Sequence, residues 1–247
     1  MNLLKEISYQ IELHSVNGIK DCFEKGLSPN TDFEGNPLFD LLISMYTRSS
    51  KFKDCVNSFI EYGLEFENKA LLAVLADNRI ELEKHLADNP RIVDEVITLN
   101  CAYTPLTNVS LLHVCSEFNH IESAQALVNY GANVNCKAGI DKNGFGGQTP
   151  IFHTVNQNNN NSAEMMDYLL SGNADLSYTV KGIIWGENFP WETFIPSVNP
   201  ISYAMMGLLP QMHRNEKTIF DTINKLMKHE YGIDFRPNNI PNKYLSE

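Results

Sequence analysis

Residues 110–135 read S-L-L-H-V-C-S-E-F-N-H-I-E-S-A-Q-A-L-V-N-Y-G-A-N-V-N, from Ser110 to Asn135, and the placing of their apolar side chains decides the fold. Leu111, Leu112 and Cys115 fall at i, i+1 and i+4, on one face of a helix. Ile121, Ala124, Leu127 and Val128 follow at i, i+3, i+6 and i+7, the stripe of a second helix. Asn119 and Gly131, one at the end of each stripe, are residues that visit left-handed backbone geometry where a helix stops. Helices this short are marginal alone in water, so each stripe needs cover from a neighbour.

Weaker copies of the same stretch recur and supply that cover. Gln148-Thr149-Pro150-Ile151-Phe152-His153, Asn199-Pro200-Ile201-Ser202-Tyr203-Ala204 and Asn36-Pro37-Leu38-Phe39 repeat its opening. Leu169 to Leu176 and Cys22 to Asn30 repeat its close. In the most diverged copy, Asn78-Arg79-Ile80-Glu81 is matched with Asn119-His120-Ile121-Glu122. Units open near Lys5, Asn36, Lys69, Ser110, Thr149 and Asn199. Their spacing drifts upward from about 33 residues, so several connections carry insertions.

These residues resemble the ankyrin repeat. Ser110 to His113 sit on its opening, Asn119 to Glu122 on its G-H-L-E stretch, Leu127-Val128 on its apolar pair and Gly131 to Asn135 on its close. The resemblance is clearest over residues 110–176 and weak before residue 100. It implies an all-α fold, an ankyrin-repeat solenoid of about six helix–turn–helix units with long inter-repeat loops, over residues 1–235, followed by a C-terminal tail, 236–247. It also implies a non-catalytic module that binds another protein. His113 occupies the position of a histidine that ties adjacent loops in this family.

Composition bounds the rest. A chain of 247 residues with 43% hydrophobic residues can bury a continuous core. A net charge of −11, with acidic excess both before and after residue 100, repels phosphate backbones and argues against nucleic acid. A protein partner with a basic patch fits that charge. Apolar runs are too short to span a membrane, and Met1 to Ser15 does not read as a signal peptide. Five cysteines without C-x-x-C spacing suit a reducing cytoplasm, and a monomer is expected. Cys22 and Cys115 read as buried small hydrophobes. The outer helices of the two end units, around Tyr9 and Lys225, present polar faces suited to capping a stack.

Three departures from a short inter-helix or inter-unit connection stand out. Asn158 to Asn161 reads as a solvated turn insertion. The glycine-rich segment 136–148, with Phe145, and the aromatic segment 177–198, with Trp185, Phe189 and Trp191, fall where ankyrin proteins place hairpin fingers beside a concave face. The glycines lack the spacing of a phosphate-binding loop, so a flexible finger is expected. The tryptophans have two readings: contact residues for a partner, or a lid folded over the fifth and sixth units. The repeat register puts Ser116, Glu117 and Phe118 of one unit, and Val155, Asn156 and Gln157 of the next, on the concave face. The candidate protein-binding residues are therefore Glu117, Phe118, Phe145, Asn156, Trp185, Phe189 and Trp191. No catalytic, cofactor-binding or metal-ligating residue is expected; His113, Cys115 and His120 are poorly placed for zinc. Two other function classes compete. One is an enzyme using Asp141, Glu187 and Glu192 with the tryptophans as a sugar cleft. The other is a homo-oligomer built through the aromatic loop.

Overall fold

The computed structural model describes residues 2–206 and 216–235, and the tail 236–247 lies outside the described residues. Twelve α-helices follow one another among the described residues in six helix pairs. The pairs are α1 (Leu3–Glu12) with α2 (Val16–Glu24), α3 (Leu38–Ser44) with α4 (Phe52–Glu61), and α5 (Lys69–Leu75) with α6 (Arg79–Asp88). They continue with α7 (Leu111–Phe118) and α8 (Ile121–Asn129), α9 (Phe152–Val155) and α10 (Ala163–Ser171), and α11 (Pro200–Met205) and α12 (Glu216–Tyr231). First helices pack on first helices, α5 on α7, α7 on α9 and α9 on α11; second helices do likewise, α2 on α4 and α6 on α8. One apolar core runs from Ile7 to Leu226, taking in Cys22 and Cys115. Between the second and third pairs the packing is at most light, for neither α3 with α5 nor α4 with α6 packs extensively.

The helices account for the all-α character, and among the described residues β-structure is three antiparallel hairpins in the connections and an isolated antiparallel bridge, Ile140 with Gly146. The hairpins are β1 (Asp32–Phe33) with β2 (Asn36–Pro37), β3 (Val96–Leu99) with β4 (Leu106–Ser110), and β5 (Val180–Trp185) with β6 (Thr193–Val198).

The turns inside the pairs explain much of how neighbours are held. Asp77 and Asn119 both take left-handed backbone geometry, at φ 50° and 60°. Structural equivalence therefore pairs Asp77 with Asn119, one position away from the match of Asn78 read in the sequence. The slip arose because Asn78 is also a good helix cap, and its side chain accepts from Glu81 N in its own helix. Helices α8 and α10 have no such side-chain cap of their own. Asp77 Oδ1 instead accepts from Ser123 N at 3.0 Å, and Asn119 Oδ1 from Met165 N at 2.9 Å. Each helix start is thus capped by the turn of the preceding pair, which satisfies an amide that would otherwise be orphaned. On the opposite edge, Asn30 accepts from Glu65 N and donates to the Gly63 carbonyl. Asn135 does the same with Asp175 N and the Asn173 carbonyl.

The asparagine run is not merely a solvated turn. Asn160 donates to the Thr218 carbonyl and accepts from the Thr222 hydroxyl, while Asn161 donates to the Arg48 carbonyl. It fastens α12 and the second pair's turn to the fifth pair.

Candidate functional site

Three fingers form a hydrogen-bonded row. Gly139 N donates to the Asn108 carbonyl of β4 at 2.8 Å, and Gly146 N to the Gly182 carbonyl of β5 at 2.8 Å. The middle finger, residues 139–147, closes on itself through Gly147 N to the Gly139 carbonyl and Asp141 N to the Phe145 carbonyl. Its glycines serve close packing as well as turning. A Cβ on Gly146, at φ +99°, would lie 2.4 Å from the Gly139 carbonyl oxygen. The expectation of a flexible finger gives way to a locked one, because backbone bonds on both sides leave it little room. The finger 96–110 carries no repeat signature; its signal in the sequence is the β-branched residues Val96, Ile97, Thr98 and Val109, which pair in an irregular register.

The aromatic residues sit on this row. Phe145 and Phe194 pack with ring centroids 4.6 Å apart, and Phe189 stacks on Trp191 at 4.8 Å. Trp191 is 39% and Phe194 47% exposed. Trp191 Nε1 donates to the Ala102 carbonyl at 3.1 Å, and half-buried Trp185 leans on Tyr103. The lid reading is therefore corrected in its target. The aromatic hairpin rests on the β3–β4 finger, at Ala102 and Tyr103, because Gly186 N also donates to the Tyr103 carbonyl at 2.8 Å.

The three candidates on the first helices lie elsewhere. Glu117, Phe118 and Asn156 are all buried, Glu117 to 1% exposure, so the expectation that they form an open contact surface on the concave face is corrected. The physical reason is Arg48, in the turn after α3. Its Nε donates to Glu117 Oε1 at 3.0 Å, and another guanidinium nitrogen donates to the Met45 and Thr47 carbonyls. The guanidinium lies 4.8 Å from the Phe118 ring centre and 5.3 Å from that of Tyr103. His153 Nδ1 donates to the other carboxylate oxygen at 3.1 Å. Burial pushes the Glu117 carboxyl up, but Arg48 and His153 outweigh it and hold the group below its usual range. Cys101, 3.5 Å from Arg48, is pushed up to about 12 by burial and then by the Glu117 charge, so it is a thiol and a poor nucleophile. This cluster is a fastening.

His113 ties loops together: Nε2 donates to the Gln148 carbonyl at 3.0 Å while Nδ1 accepts from Ser110 N. The carboxylates of the enzyme alternative are engaged locally. Asp141 accepts from Asn143 N and Phe145 N, Glu192 from Asn188 N, and Glu187 lies 3.5 Å from Thr107 Oγ1. Among the described residues no group of three or more His, Cys, Asp or Glu is placed to hold a metal ion. No helix among them is long and apolar enough to cross a membrane.

The stretch that forms β4, α7, α8 and the return toward the middle finger has a counterpart among known families. The ankyrin-repeat family model matches residues 108–138, so this segment is an ankyrin repeat. Such repeats are in general protein-interaction modules and typically not enzymes. No curated protein matches the chain.

Proposed function

We propose that the six helix pairs stack as ankyrin units in one solenoid, and that this solenoid is a non-catalytic module that binds another protein through its finger row. The observation that carries this reading is the Phe145–Phe194 and Phe189–Trp191 pairs, each with one exposed ring, Phe194 and Trp191, on fingers that are bonded to one another. Rings held rigidly on a scaffold lose little freedom on binding, which is the condition for a strong anchor. The partner carries a basic patch, in keeping with the charge of −11. The binding role of the concave face passes to the fingers, since Glu117, Phe118 and Asn156 are enclosed. The module works as a monomer in a reducing cytoplasm, in keeping with five free thiols.

The test compares wild type with Phe194→Ser and Trp191→Ser in affinity capture from the native host, followed by titration of the captured protein. Loss of binding by folded variants supports the reading; unchanged affinity in both sinks it. Deleting the whole hairpin is a poorer test, because β5 bonds to the middle finger and would be lost with it.

A further inference from the structure

The finger row has a gap. The connection between α4 and α5, residues 62–68, forms no hairpin, so no finger stands between β1–β2 and β3–β4. A groove of about 300 Å³ occupies that place, walled by Phe33, Pro37 and Leu41 on one side and Leu99 on the other. One edge of β3 is paired with β4. The other edge of Val96–Leu99 has no backbone partner among the described residues. An unpaired edge is a template for an added strand.

Charge selects the occupant. Glu34 and Asp40 line the groove, no Lys, Arg or His does, and neither carboxylate has an ion-pair partner among the described residues. Val96 and Thr98 are exposed, while Ile97 and Leu99 are half-buried, so the strand offers alternating open and apolar positions. We infer that this groove takes an extended segment of another protein, with alternating basic and apolar side chains, which adds to the β3 edge in place of the absent finger. The apolar side chains rest on Phe33, Leu41 and Leu99, and the basic ones reach Glu34 and Asp40. This site is separate from the aromatic end of the row and does not depend on that end binding anything.

The test uses the full chain and three fluorescent six-residue peptides: (Val-Lys)₃, (Val-Glu)₃, and (Val-Lys)₃ N-methylated at alternate residues. Expected are saturable binding of the first, at least tenfold weaker binding of the other two, and slowed exchange on binding of those Val96–Leu99 amides that face the unpaired edge. Glu34→Lys with Asp40→Lys, both on exposed side chains, should weaken the first peptide at least tenfold without moving the melting temperature. Equal binding of the N-methylated peptide, or binding untouched by the charge reversals, overturns the inference in favour of diffuse charge attraction. No binding of the first peptide also overturns it. So does a concentration-dependent dimer that protects the same amides, since a second copy would then be the occupant.

Discussion

Arg48 and Glu117, 69 residues apart in the chain, form an ion pair at 3.0 Å with side chains 2% and 0% exposed. The pair joins the second helix pair to the fourth, across the junction where α3–α5 and α4–α6 packing is at most light. A buried ion pair is not in itself a large source of stability, because desolvation offsets the attraction. Removing one partner is a different matter, since it leaves an enclosed charge alone.

Arg48→Met should therefore destabilise the chain by about 3–5 kcal/mol in urea unfolding. The double variant Arg48→Met, Glu117→Gln should be distinctly less unstable than the sum of the two single variants. Additive losses would show that the two groups do not act as a pair.

Asp77 and Asn119 cap helices that belong to the next pair. Asp77→Ala and Asn119→Ala should each cost about 1 kcal/mol, the usual effect of a lost cap. Asp77→Asn retains both the acceptor and the tolerance for left-handed geometry and should be close to neutral. The check is urea unfolding with amide exchange at Ser123 and Met165, whose protection should fall in the alanine variants alone.

Acid should unfold this protein early. Burial lowers His14 to about 4, with Arg48 adding to the shift. Burial lowers His113 to about 3, with His153 adding to it, and His120 to about 4 against the opposing charge of Asp77. A histidine whose folded pKa lies below its unfolded value binds more protons when unfolded, so stability rises with pH between the two values. The loss begins as pH falls through about 6.5, at roughly 1.4 kcal/mol per pH unit for each histidine. Glu117, depressed by its partners, contributes in the same direction below the ordinary carboxyl range. His14→Gln should give a shallower slope of unfolding free energy between pH 6.5 and 5 than wild type.

Gly146→Ala should break the middle finger while the helices persist, because the added methyl meets backbone at 2.4 Å. Amide exchange at Gly146 and Gly147 should accelerate, with far-ultraviolet circular dichroism unchanged. Gly182→Ala meets the rings of Phe194 and Phe145 instead, which can swing aside, so its effect should be confined to ring packing.

Phe194→Ala should leave the melting temperature nearly unchanged, yet lower the affinity for a captured partner by at least tenfold. That factor corresponds to about 1.4 kcal/mol, modest for an aromatic anchor. Calorimetric titration checks it.

How much of this was readable beforehand follows from what each residue responds to. The helices over 110–135 were legible because their stripes depend on neighbours a few positions away. His113 was legible for the same reason, its bonds running to Ser110 and the adjoining loop. Glu117 was misread because its burial is decided by Arg48, in a turn with no repeat signature of its own. The aromatic hairpin was located by composition, but its resting place on Ala102 and Tyr103 depends on a finger that pairs in an irregular register. The one-residue slip at Asn78 came from two adjacent polar residues, each suited to a different job.

The caps handed from one turn to the next helix have a direction. Asp77 serves α8 and Asn119 serves α10, so in both cases the acceptor precedes the amide it satisfies. A chain emerging from the ribosome would present each of these acceptors before the helix that needs it. Truncation is accordingly expected to be polar. Loss of a unit from the C-terminal side leaves a side-chain oxygen that water can solvate, whereas loss from the N-terminal side strips the next helix of the group that holds its first turn.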